Sequence, residues 1–208
     1  MKKVFQVIFL IIIVGLIYLV YESIMQPIRF QEQFDKRKAA VVERLKLIRD
    51  AQVAYKTNHA DYTGSFDTLI NFVKTENFKL VKMEGTLTDS MLNEGMTEKE
   101  ALKRGIIKRD TITISVADSL FKNFSPDSLR YVPFTNHVEF EMEKAALTTS
   151  SGLVVPVFEA RVTNKVYLKG LDNQERINLD DEADKLGRYP GLKVGSIEEA
   201  NNNAGNWE

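Results

Sequence analysis

Along the chain the apolar positions follow three regimes in turn. The first is unbroken: Val4–Tyr21 reads VFQVIFLIIIVGLIYLVY, with no charge and with Gln6 as its only strongly polar side chain. A surface helix keeps a polar face, and this segment has none. Its roughly 18 residues make a helix about 27 Å long, close to the hydrocarbon thickness of a bilayer. The run passes into YESIMQPIRF and not into a small-x-small cleavage site. The pattern therefore predicts an uncleaved transmembrane anchor over 4–24, in contact with membrane lipid, behind a short cytoplasmic tail at 1–3. Tyr18 and Tyr21 suit the interface at its far end.

The second regime has the period of a helix. Phe34, then Val41, Leu45, Ile48 and Tyr55, recur on one face, Leu47, Ala51 and Ala54 widen it, and Glu43, Arg44, Lys46, Arg49 and Asp50 lie mostly outside it. These positions predict an amphipathic stem helix over 27–59. Pro27 either kinks a continuing helix or occupies the first turn of a new one. The apolar face has two compatible destinations, the protein's own sheet and neighbouring subunits. Together with Gly15, the one small residue of the anchor, it gives a candidate helix-packing interface of Gly15, Phe34, Val41, Leu45, Ile48 and Tyr55.

The third regime, 60–208, mixes short helical and alternating stretches and predicts a head. Ser65 stands before a short helix at Asp67–Lys74, and Phe78–Thr88 and Thr111–Val116 alternate as strands. Thr97 and Glu100 form a capping box, with Gly105 where that helix should stop. Val138, Phe140 and Met142 alternate with Glu139, Glu141 and Glu143, TTSSG supplies a turn, and Val155 to Tyr167 returns as the second arm of a hairpin. Pro156 assigns that arm to an edge or a bulge. Ser196 and Glu199 suggest another capping box, and Trp207, the sole tryptophan, either tucks onto the head or marks a docking contact. The fold class is α+β: a transmembrane helix continuing into a long stem helix, with a carboxyl-terminal antiparallel β-sheet head.

Charge and composition then remove several functions. The net charge of −1 over 208 residues leaves no basic stripe for nucleic acid. With no cysteine, disulfides, thiolate metal sites and thiol nucleophiles are out. No ionisable side chain lies within the apolar run, which argues against a proton relay there. Lys2 and Lys3 are answered by Arg29, Lys36, Arg37 and Lys38, so a bare count of positive charge does not orient the anchor. The signal-anchor layout places the carboxyl-terminal domain outside the cytoplasm, in the periplasm for a single-pass protein of a bacterial inner membrane.

Candidate chemistry is sparse. LDDEADKL at Leu179–Leu186 resembles a helicase acidic motif, but no phosphate-cradling G-x-x-x-x-G-K-[ST] accompanies it, so it reads as a solvated, helix-starting acidic cluster. His59 and His137 lack a third ligand at motif spacing. The glutamate row at 139–143 reads as a solvated face, with a site for a cation or basic partner as the sharper alternative. Asn123–Ser125 fits a glycosylation acceptor. No cofactor, metal or catalytic residue is expected.

The short basic end, apolar helix, proline near its exit and amphipathic continuation, followed by LIRDAQVAYKTNHADYTGSF, resemble the amino-terminal half of type IV pilins and pseudopilins over about residues 4–72. MKKVFQVIFL lacks that family's glycine-phenylalanine type cleavage site and its early glutamate. The resemblance implies a non-catalytic structural subunit that assembles through its stem helix with like or unlike membrane-protein subunits. The alternative is an accessory subunit of a transporter, motor or secretion machine, packed beside a polytopic partner. A membrane-tethered enzyme or ligand-binding module is the third class.

Overall fold

The computed structural model describes residues 2–86, 91, 95–121, 124–149 and 152–208. Its first element, α1, is one continuous helix, Lys2–His59, which runs through Pro27. Proline removes one backbone donor but does not stop the helix, so the apolar run and the amphipathic stretch belong to one helix. The chain divides into two compact units, Met1–Arg49 with Arg130–Glu208 and Asp50–Leu129, and α1 contributes to both.

The first unit is built on a three-stranded antiparallel sheet, β3 (Glu141–Thr148), β4 (Val154–Thr163) and β5 (Gly191–Gly195), in the order β3-β4-β5. The predicted hairpin is β3–β4, with Met142 opposite Ala160 and Lys144 opposite Phe158. It closes through Thr149 N to Leu153 O and Gly152 N to Thr149 O; Ser150 and Ser151 of the predicted turn lie outside the described residues. Pro156 sits on the central strand, yet β5 pairs only with Glu159–Thr163, so β4 has β3 alone as a neighbour at the proline. There the missing N–H costs no ladder bond.

Phe158, Ala160 and Val162 are buried, with Ala160 opposite Val194 and Val162 opposite Leu192 of β5, and Phe30, Val41, Leu45 and Ile48 of α1 are buried as well. Two helices follow β4: a single turn, Asn164–Tyr167, and a longer one, Asn173–Lys185. Asp172 caps the longer helix by accepting from Gln174 N and Glu175 N at 2.9 and 3.0 Å. LDDEADKL therefore occupies the second half of that helix and does not start it.

On the opposite sheet face the glutamate row is solvated, as expected, and its charges are also answered within the chain. Arg161 bridges Glu141 (2.9 Å), Glu143 (2.7 Å) and Glu159 (2.9 Å), and Lys193 reaches Glu159 at 3.1 Å. The cation that answers the row is the chain's own. Ser196 accepts from Glu198 N and Glu199 N, but bends follow it and no helix does, so the expected capping box is only a local turn.

The second unit holds the last turns of α1, α2 (Phe66–Thr75), the two-stranded antiparallel pair β1 (Asn77–Glu84) and β2 (Lys108–Ser115), α3 (Glu98–Lys103) and α4 (Val116–Leu120). The two stretches predicted as strands thus pair with each other; Thr88, at the end of one, lies outside the described residues, and Val116, at the end of the other, starts α4. Gln52, fully buried, donates to Thr63 O at 2.6 Å and accepts from Thr63 N at 3.2 Å, clamping the turn that ends α1. Both polar ends of the amide have partners, as burial requires. Ser65 starts α2 without a side-chain cap, whereas Thr97 and Glu100 form the predicted capping box of α3 and Gly105, at φ +70°, follows its end.

Candidate functional site

The first half of α1 is bare. Every large apolar side chain from Val4 to Tyr21 is exposed, from 46% at Ile8 to 64% at Leu10. By length and composition this is a helix able to cross a bilayer. At Gly15 an added Cβ would meet nothing within 4 Å. Beyond Tyr21 the exposed apolar positions continue as Ile24 and Ile28, and the first buried residue is Phe30.

The remaining residues of the expected interface have different surroundings. Val41, Leu45 and Ile48 are 0% exposed. They are covered within the chain itself and present no exposed surface. Phe34 is half-buried and stacks on Phe30 with ring centroids 6.2 Å apart. Tyr55 belongs to the second unit, stacked on His59 at 4.3 Å and edge-on to Phe72 at 5.2 Å.

Between Gln26 and Arg37 the stem holds a loop of its own head. Gln26 Nε2 donates to Asp172 Oδ2 at 2.5 Å, and Arg37 Nη1 donates to the carbonyls of Tyr167 and Lys169 at 3.0 and 2.9 Å. The backbone N–H of Glu175 and the Gln26 amide hold the Asp172 carboxyl below its usual range, since hydrogen bonds to a carboxylate favour its charged form. Higher on the stem, Arg44 donates to Tyr131 O at 3.0 Å, and burial pulls its pKa down from the ordinary arginine value.

The pinned loop forms one wall of a groove of about 640 Å³. Leu168, Leu171, Val166, Val138 and Phe134 give it an apolar floor, with Lys165, Lys169 and Arg176 at its rim and no carboxylate in its lining. Arg176 is paired with Asp180 at 2.6 Å. Phe134 is 53% exposed, at φ +61°, with the Arg37 guanidinium 5.6 Å from its ring centre. An aromatic residue held in the left-handed region costs on the order of 1–2 kcal/mol, and here the result is an apolar ring shown to solvent. Sequence reading missed this groove. VPFTNHV carries no signature beyond its turn-forming residues, and the rim lysines come from a segment that reads as a strand end.

The other singled-out residues have structural employment. His59 Nε2 lies 2.9 Å from Glu76 Oε1, and His137 packs edge-on against Tyr131. No group of three or more His, Asp or Glu side chains suited to a metal occurs among the described residues. Asp180 accepts from Asn164 Nδ2 at 2.9 Å, and the Tyr167 hydroxyl donates to Asn164 Oδ1 at 2.9 Å; burial pushes the Tyr167 pKa well above the ordinary phenol value. Trp207 packs against Gly205, and its buried Nε1 has no hydrogen-bond partner among the described residues. The sequon residue Asn123 lies outside the described residues. No protein-family model matches this chain, and the comparisons with curated proteins and with solved structures return no similar chain.

Proposed function

We propose that this protein is a non-catalytic, single-pass subunit of an envelope assembly, resembling pilins or pseudopilins in plan. The first half of α1 spans a membrane and the head stands on its extracytoplasmic side. The observation that carries this reading is the contrast within one helix: Val41, Leu45 and Ile48 are wholly buried, whereas everything apolar from Val4 to Tyr21 is bare. Fully burying a Val, Leu, Ile or Phe side chain is worth about 1.5–3 kcal/mol. Summed over this run, the exposure would cost tens of kcal/mol in water, against a typical net stability of about 5–15 kcal/mol. A hydrocarbon surround removes that cost.

Gly15 supports a role in packing as well as anchoring, because the bare backbone there lets a neighbouring helix approach closely. The neighbour is a second copy in the pilin-like reading and a polytopic partner in the accessory-subunit reading. The test is alkaline carbonate extraction of cell membranes containing the full chain, with a paired variant carrying Ile12→Lys and Leu16→Glu. Retention of the parent in the pellet and release of the variant is the expected result. Release of the parent would overturn the anchor.

A further inference from the structure

The groove on the head and the outward face of the stem match in height and charge. Gln26 and Arg37 bound the stretch of stem that holds the groove wall, 11 residues or about 16 Å along the axis. Along this stretch and just before it, the side of the helix away from its buried residues shows Ile24 and Ile28, both exposed, and then the exposed carboxylates Glu32 and Asp35. Ile17, Ile24, Ile28 and Asp35 follow one another at steps of seven, four and seven, so they form one stripe. The basic residues lie off this stripe, Lys38 about 60° and Lys36 about 100° around the helix on opposite sides, and Arg29, further round, is paired with Glu22 at 2.8 Å. Asp35 is bonded only to the neutral amide of Gln31 among the described residues.

The groove has the complementary order. Leu171 and Asn173 line it beside Asp172, at the level of Gln26; Lys169 follows at the level of Arg37, with Lys165 one helical turn away. Lys165 and Lys169 make no ion pair among the described residues. The groove thus offers an apolar floor with the lysines Lys165 and Lys169 at its rim, and the stem stripe offers two isoleucines with two carboxylates beyond them. Two copies anchored by the same apolar run in one membrane present their stems and heads at the same level.

We infer that the groove of one copy receives the Ile24–Asp35 face of the stem of a second copy. This rests on the membrane-anchored reading and supplies its partner. Ile24 and Ile28 seat on the apolar floor, and Glu32 and Asp35 face Lys169 and Lys165. The two patches are different, so the contact is head-to-tail: each copy receives one neighbour and offers its stem to another, giving an open row and not a closed pair.

The absence of cysteine permits a direct test in intact membranes. The full chain is made with Ile28→Cys, with Asn173→Cys, and with both. Oxidation of co-expressed single variants should give a mixed dimer, and the double variant a ladder. Glu32→Lys with Asp35→Lys should cut the cross-linked fraction about tenfold, since like charges then meet across the contact. Co-expression with copies carrying Lys165→Glu and Lys169→Glu should restore it, which a merely misfolded variant would not do. Membrane-retained protein that gives no mixed link, or dimers of Ile28→Cys alone in preference to it, overturns the inference and leaves the anchor standing. Release of the parent by carbonate overturns both, because the shared level of the copies is then gone.

Discussion

Replacing Arg161 by methionine tests the electrostatic side of the sheet. Arg161 sits opposite Glu141 on β3 and Lys193 on β5, and its guanidinium serves three carboxylates at once. Glu141 and Glu143 are 65% and 50% exposed at the side chain, and pairs of that kind contribute little, about 0–1 kcal/mol. Glu159 is different: only 5% of its side chain is exposed. Breaking a buried pair from one side costs about 3–5 kcal/mol, but Lys193 remains on the other oxygen and Arg161 itself is partly solvated. A loss of about 2–3 kcal/mol follows, lowering the midpoint by roughly 5–10 °C.

The assay is thermal unfolding of the detergent-solubilised full chain, followed by the fluorescence of Trp207. That side chain packs on Gly205, which bridges to Val194 of β5, so it reports on the first unit. Glu159→Gln in the same background is the decisive control. With the buried charge gone, removing Arg161 should cost about 1 kcal/mol or less. Equal destabilisation in the two backgrounds would refute the argument that a stranded buried carboxylate sets the cost.

Leu45→Ala, at a position fully buried in the first unit, should destabilise by about 2–5 kcal/mol in the same unfolding assay, whereas Ile24→Ala on the bare side of the stem should leave the midpoint unchanged. Gly195→Ala should prevent normal closure of β5, because its φ is +73° and a Cβ would stand 2.1 Å from Phe158 O; hydrogen exchange of the β5 amides is the readout. Asp172 has a depressed folded-state pKa, so its contribution is complete above the unfolded value and is lost as pH falls through the folded one. Protection of the Gln174 and Glu175 amides, taken relative to the intrinsic exchange rate at each pH, should fall below about pH 4, and Asp172→Asn should flatten that dependence.

The long helix, the β3–β4 hairpin and the Thr97–Glu100 box were legible because each is written in local pattern. What was illegible depends on partners distant in sequence. The glutamate row alternates like any solvated strand face, and nothing near residue 141 says that Arg161 will lie across from it. Val41, Leu45 and Ile48 form a face whose covering, by the same chain or another, cannot be read locally, because the rest of their unit begins only at Arg130. Ser196 and Glu199 had the spacing of a helix start, but Ala200 to Asn203 supply turns, with Asn202 and Asn203 at positive φ. The groove escaped notice because its rim and floor come from segments that are ordinary when read separately.

Pro27 leaves Ser23 without the amide that would normally close its turn, so the rod has its weakest point there. The head grips on both sides of that point, through Gln26 below and through Phe30 and Arg37 above. The loop at Asp172 therefore acts as a splint across a joint. A sideways load on the first unit is carried past the proline and into the apolar half of the helix, and cutting the Gln26–Asp172 bond would turn a stiff strut into a hinge.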